Sequence, residues 1–218
     1  MEIMEAMKRR HSVRQYADRE IEADVLTALQ EEITACNRES GLHIQLVTNE
    51  PKAFDSFMAH YGKFSGVKHY IAMVGKKGDQ LDESCGYYGE RIVLKAQQLG
   101  LNTCWVAMTY KKIPGAFMVD KDEKLTVVIS LGYGVTEGVE HKGKTAVQVS
   151  NVGEDTPTWF REGVEAALLA PTAMNQQKFR FTYADGQVKA ETGRGFYAKI
   201  DLGIARYHFE VISGHTCI

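Results

Sequence analysis

Arg9-Arg10-His11-Ser12-Val13-Arg14-Gln15-Tyr16 is the stretch on which the reading of this chain turns. Three fixed cations, a histidine and a hydroxyl fall within six residues. Arginine forks give charge-assisted bonds to phosphate oxygens, and serine and backbone N–H groups can complete a cradle. The plain alternative is a solvated basic turn, and the stretch by itself does not choose between the two. On its N-terminal side Ile3 and Met7 sit one helical turn apart, so residues 2–8 are predicted to form a short helix. On its C-terminal side Val25, Leu26, Leu29, Ile33 and Cys36 recur at helical steps, which predicts a helix over 22–37 with one buried face.

The elements beyond follow the same periodicities. Leu42, Ile44 and Leu46 alternate with neighbours of the opposite face, a strand over 42–47. Phe54, Phe57, Met58 and Tyr61 mark a helix that closes at Gly62, and 70–74 is a short buried strand. Ile92, Val93, Ala96 and Leu99 line a helix over 87–99 that ends at Gly100. Residues 102–109 are β-prone, 125–131 is the clearest buried strand, and 136–145 is a polar loop. Residues 157–170 are helical, and 179–183 and 188–192 flank Asp185-Gly186 as a β-hairpin. A last helix covers 198–213. This alternation argues for a mixed α/β domain. Helix, polar loop and alternating strand occur at 22–47 and again at 158–183, with a Gly-bearing helix later in each part. That recurrence fits an internal duplication with halves 1–150 and 151–218. It equally fits one domain over 1–218 whose units merely look alike.

Composition bounds the function. The chain has 218 residues, 44% hydrophobic and 25% charged, and its net charge of -2 offers no global basic field for nucleic acid. Met1 to Arg10 is too charged for a secretory h-region, and no apolar run is long enough to span a membrane. Cys36, Cys85, Cys104 and Cys217 form no C-x-x-C pair. A cytoplasmic protein is expected, with no membrane and no nucleic-acid partner.

Other stretches could carry chemistry. In Ala170-Pro171-Thr172-Ala173-Met174-Asn175-Gln176-Gln177 a helix ends and amide side chains follow. Amides offer both donors and acceptors and suit a uracil-like edge, although an Asx-type turn explains the same residues. Gly100-Leu101-Asn102-Thr103-Cys104-Trp105 leads to 106–109, whose backbone N–H groups could meet a planar ligand; a core strand is the simpler reading. Lys142 and Lys144, one residue apart, can reach a phosphate together or simply be solvated. The histidines lack metal spacing, no G-x-S-x-G elbow occurs, and Gly132-Tyr133-Gly134 lacks the third glycine of a dinucleotide fingerprint. Without an acid/base constellation, a bound cofactor becomes the natural carrier of any chemistry.

Taken together, four stretches resemble the FMN-dependent nitroreductase family. Arg9 to Arg14 is similar to its N-terminal signature, 170–177 to its A-P-S-A-x-N-x-Q-P-W segment, 100–105 to G-L-G-T-C-W, and Leu131 to Gly134 to a late strand end. The amide motif lies near the C-terminus instead of near the start. That order resembles the branch named putative TM nitroreductase, in which one chain imitates the family dimer. The chain departs from the family in Lys178-Phe179 for Pro-Trp, and in Ala107-Met108 where glycines are frequent. The resemblance implies an α+β, nitroreductase-like fold with a central, mostly antiparallel sheet flanked by helices. It implies FMN as cofactor, NADPH or NADH as donor, and ping-pong hydride transfer through flavin N5 to a small electron-poor acceptor such as a nitroaromatic or quinone. No side chain is then needed as a catalytic residue. Arg10 and Ser12 would hold the FMN phosphate with Lys142 and Lys144, and His11 would sit by the pyrimidine or ribityl part. Arg14 would face the N1–C2=O edge, Asn175 and Gln177 the isoalloxazine edge, and the backbone of Val106, Ala107 and Met108 would lie near N5. The protein would be a monomer or a homodimer. Two alternatives stand beside this: a flavin-binding or flavin-sensing protein without useful turnover, and another flavin reaction such as reductive dehalogenation or flavin fragmentation.

Overall fold

A computed structural model describes all 218 residues. The helices are α1 (Ile3–Arg9), α2 (Ala23–Ser40), α3 (Phe57–Tyr61), α4 (Leu81–Gln98), α5 (Ala146–Val149), α6 (Thr158–Ala167) and α7 (Ala198–Ser213). The strands are β1 (Gln45–Val47), β2 (His69–Lys76), β3 (Asn102–Val106), β4 (Glu123–Gly132), β5 (Phe179–Ala184) and β6 (Gln187–Thr192). Every strand pair is antiparallel. The class is α+β, and no helix is long and apolar enough to cross a membrane. Contacts divide the chain into two compact units, each discontinuous in sequence.

The unit of 9–81 and 92–140 holds a four-stranded sheet in the order β1-β2-β4-β3. The central strands β2 and β4 read as near-continuous apolar runs because they are buried along almost their whole length. Val47, Tyr70, Ala72, Val74, Cys104, Val106 and Val128 form a core with Phe54 and Phe64. Val128 is fully buried, and truncating such a side chain costs a few kcal/mol because the cavity fills only in part. The strand predicted from residue 42 starts at Gln45. The Asn37 side chain donates to Ile44 O and accepts from Ile44 N, so both backbone groups of Ile44 are satisfied off the sheet. The helix predicted across 54–61 is a 3₁₀ turn at Pro51–Ala53, then α3, capped by Ser56 Oγ on Ala59 N. Phe54 faces the core, but Phe57 and Tyr61 are 82% and 77% exposed, so the run 54–61 has no single buried face.

The unit of 1–8, 82–91 and 141–218 contains the β5–β6 hairpin and the packed helices α6 and α7. α4 begins at Leu81, six residues before the predicted start, because its first turns are polar and contain Gly86. Within this unit Gly86 and Gly203 make the crossing of α4 and α7 possible. A Cβ on Gly86 would lie 2.1 Å from Ile200 O, and one on Gly203 2.0 Å from Glu83 O. The two contacts exchange when 86 is matched with 203 and 83 with 200. Glu90 and His208 are both fully buried beside this crossing. His208 Nε2 is 2.9 Å from Glu90 Oε1 and Nδ1 is 3.0 Å from Ala166 O.

Candidate functional site

The basic stretch is an extended segment with backbone partners on three sides. Val13 N donates to Thr103 O, Ser65 N to Arg14 O, Tyr16 N to Ser65 O, and Val135 N to Gln15 O. Val13 and Tyr16 are the apolar residues of the stretch and go into the core, which turns Arg14 and Gln15 outward. The Tyr16 hydroxyl donates to Val13 O and lies 2.8 Å from Ser130 Oγ, locking the segment from beneath. Gly66, in the left-handed region at φ +70, lets Tyr16 pass: a Cβ there would stand 2.2 Å from Tyr16 O.

Of the predicted residues of this unit, Ser12 bridges Thr103 of β3, Arg10 and Arg14 act on Cys104 of the same strand, and Val106, Ala107 and Met108 stand at its far end. Arg10 is only 3% exposed. His11 packs its Cβ under Gly138, and the Ser12 hydroxyl is hydrogen-bonded to Cys104. Burial pushes the Cys104 thiol up, against the opposing pull of Arg14, Ser12 and Arg10, so this cysteine is a packed side chain and not a poised thiolate. The Arg14 guanidinium is exposed and lies 6.0 Å from the centre of the Phe64 ring, which gives the cation a face to rest on. β3 ends at Val106, which is buried, and the chain bends away from the sheet at Ala107 and Met108; Met108 is 70% exposed. The β-prone reading of 102–109 therefore overran by three residues, because the ladder with β4 stops at the Val106–Val128 pair.

In the other unit Lys142, Lys144, Asn175 and Gln177 come together. Gln177 Nε2 donates to Lys142 O and to Asn175 Oδ1, and Gln177 Oε1 accepts from Lys144 N. Lys144 Nζ donates to Gln177 O, and Asn175 Nδ2 to Lys142 O. Gln177, expected at a flavin edge, is thus 2% exposed with both of its amide N–H groups in use inside the cluster. Asn175 is exposed and keeps one N–H and one lone pair for a ligand. Met174, Asn175 and Gln177 all have positive φ, at 50°, 53° and 45°. Non-glycine residues there cost roughly 1–2 kcal/mol each, somewhat less for Asn. Strain concentrated in one short turn marks a conformation the surroundings impose.

A residue that sequence reasoning passed over imposes it. Asp201, in the first turns of α7, is 3% exposed and accepts from Ala173 N at 2.9 Å and from Gln176 Nε2 at 2.7 Å. Gln176 Nε2 also donates to Phe196 O. Burial pushes the Asp201 carboxyl up to about 6, against the opposing effect of those two donors. In the sequence Asp201 looks like an ordinary acidic residue near a helix N-terminus, and only its burial singles it out.

The model of the family described as Putative TM nitroreductase matches residues 2–213. The chain belongs to this family. Among solved structures it is similar to a putative nitroreductase from Thermotoga maritima, with 26% identity, 97% of this chain and 83% of that chain covered, and a TM-score of 0.67. It shares its fold with a putative nitroreductase in complex with FMN from Desulfovibrio desulfuricans, at 14% identity and a TM-score of 0.53, with 72% of this chain and 99% of that one covered. A putative NADH dehydrogenase/NAD(P)H nitroreductase from Parabacteroides distasonis gives 21% identity and the same score over 67% and 95%. No curated protein matches. The nitroreductase fold expected from the four signature stretches is therefore the fold of the chain.

Proposed function

We propose that this nitroreductase-family chain is an FMN-dependent NAD(P)H oxidoreductase that reduces small electron-poor acceptors such as nitroaromatics or quinones. The observation that carries the reading is the strained amide turn. It presents Asn175 to solvent with donor and acceptor capacity in hand, beside the cationic Lys142–Lys144 loop. An amide next to cations suits a ligand with a uracil-like edge and a phosphate. The fold shared with an FMN-bound nitroreductase supports the same ligand. FMN, if held there, would supply two-electron redox chemistry between a nicotinamide donor and the acceptor.

The chain's own residues bind and tune. Lys142 and Lys144 are assigned to the phosphate, and Arg10 and Ser12 carry the same assignment from the family signature. His11 is assigned to the pyrimidine or ribityl part. Asn175 is assigned to the isoalloxazine edge, and Gln177 to fixing Asn175 and the lysine loop. Arg14, exposed and permanently charged, is assigned to the N1–C2=O edge, where it favours negative charge on the reduced ring. Val106, Ala107 and Met108, at the end of β3, are assigned to the neighbourhood of N5. The test is anaerobic reduction of the FMN-loaded protein by NADPH and by NADH, followed by mixing with a quinone or nitroaromatic. Rapid bleaching and rapid reoxidation by the acceptor are expected. Bound flavin that neither nucleotide reduces would make the protein a flavin-binding module.

A further inference from the structure

The amide turn does not hold its shape by itself. Three of its four residues from Met174 to Gln177 are left-handed, and Met174 is 84% exposed, so its own packing contributes little there. The turn's 3₁₀ geometry leaves Ala173 N–H without a helical partner, and Asp201 takes it. The same carboxylate takes one Gln176 N–H, while the other goes to Phe196 O. Phe196 precedes Tyr197, a further left-handed residue at φ 60, which starts α7. Gly195 closes over this junction: a Cβ there would lie 2.6 Å from Gln176 Oε1. One buried acid thus ties a strained turn to the beginning of a helix.

We propose that Asp201 is the positioning residue of the amide turn. Its two oxygens, one on Ala173 N–H and one on the Gln176 amide, hold residues 174–177 in place, so that Asn175 and the lysine loop stand preset for an anionic ligand with an amide-like edge. That the ligand is a flavin rests on the function proposed above. A preset site avoids the ordering cost that a free turn would meet on binding. The arrangement also makes the turn sensitive to protons. No charged side chain shares in setting the Asp201 pKa; burial and the two N–H donors do. Of the charged groups on the surrounding elements, Glu83 of α4 is paired with Arg206, Lys178 Nζ donates to Arg194 O, and Lys199 is on the exposed side of α7. A proton on Asp201 turns one acceptor oxygen into a hydroxyl. Gln176 cannot answer by flipping its amide without giving up its bond to Phe196 O.

The experiment uses the full chain and measures riboflavin and FMN affinity by fluorescence quenching from pH 5 to 8, for wild type, Asp201→Asn and Gln176→Ala. Exchange of the Ala173 amide is followed by NMR in the flavin-free protein. Riboflavin lacks the phosphate, whose own second ionisation near pH 6 would mask the effect. Wild type should bind riboflavin about tenfold more weakly at pH 5 than at pH 7.5, the worth of roughly one hydrogen bond. Asp201→Asn, which sets an amide N–H against the Gln176 N–H, should bind weakly at every pH and show faster Ala173 exchange. Gln176→Ala should weaken binding several-fold while Ala173 stays protected, and it carries the test if Asp201→Asn does not fold. Wild-type affinity and pH profile in both variants, with unchanged Ala173 exchange, would overturn the proposal. Failure of wild type to bind any flavin would remove the flavin reading alone. Slow Ala173 exchange that Asp201→Asn accelerates would still support the tether, and exchange indifferent to that substitution would refute it.

Discussion

A carboxyl buried without a cation loses its hydration, and Asp201 shows the result in a pKa lifted from 3.8 to about 6. The sign of the stability effect follows from the direction of the shift. The folded state holds the proton more tightly than the unfolded chain does. The contribution of Asp201 is therefore fully present below the unfolded pKa and is lost as pH rises through about 6. At 1.36 kcal/mol per unit the loss is about 3 kcal/mol. The loss falls between about pH 4 and 6, so Asp201→Asn should flatten the fall in melting temperature between pH 4 and 6.5, and calorimetry of both proteins at the two pH values checks this. The tether and global stability thus pull in opposite directions below pH 6, as expected of a site that holds a strained conformation for binding. Arg14 belongs to the same scale. Its guanidinium is exposed against the Phe64 ring and fixed in charge, so Arg14→Ala should leave the fold intact. It should also weaken FMN binding about tenfold and lower the flavin reduction potential, as read by titration and spectroelectrochemistry. Unchanged affinity and potential would take Arg14 out of the site.

At the scale of elements, the crossing of α4 and α7 is set by backbone proximity. Gly86→Ala places a Cβ within 2.1 Å of Ile200 O, and no rotamer relieves a clash with backbone. A loss of about 3 kcal/mol or more is expected in denaturant unfolding, at the upper end of overpacking costs. The neighbouring His208–Glu90 pair is fully buried. The His208 imidazole spans the Ala166 carbonyl, on its Nδ1 side, and Glu90 Oε1, on its Nε2 side. Glu90→Ala would take the partner from a buried imidazole nitrogen, at a cost of about 1–3 kcal/mol in denaturant unfolding. These elements differ in how far the sequence shows them. α7 was legible from end to end, since its apolar stripe runs unbroken over 198–213 and Gly214 closes it. The start of α4 was not, because its buried contact is a glycine and its flanks are polar, which periodicity reads as loop. The start of β1 depends on the Asn37 side chain, seven residues before Ile44, and no pattern of hydrophobicity encodes that.

At the scale of the molecule, the motif stretches were legible because each is local: arginines within one extended segment, amides within one turn, lysines within one loop. What supports them was hidden, since Asp201 reaches Ala173 from 28 residues away and Tyr16 reaches Ser130 from 114. The discontinuity of the two compact units was equally out of reach, as it arises where the middle of α4 changes its allegiance. All the functional assignments share one premise, that the protein holds FMN. The visible absorption spectrum of the purified protein, recorded before and after adding FMN, tests it most directly. A flavin band near that of free FMN but shifted and structured by the site, and bleached on adding NADPH or NADH, is expected. A colourless protein that leaves the spectrum of added FMN unchanged would contradict it.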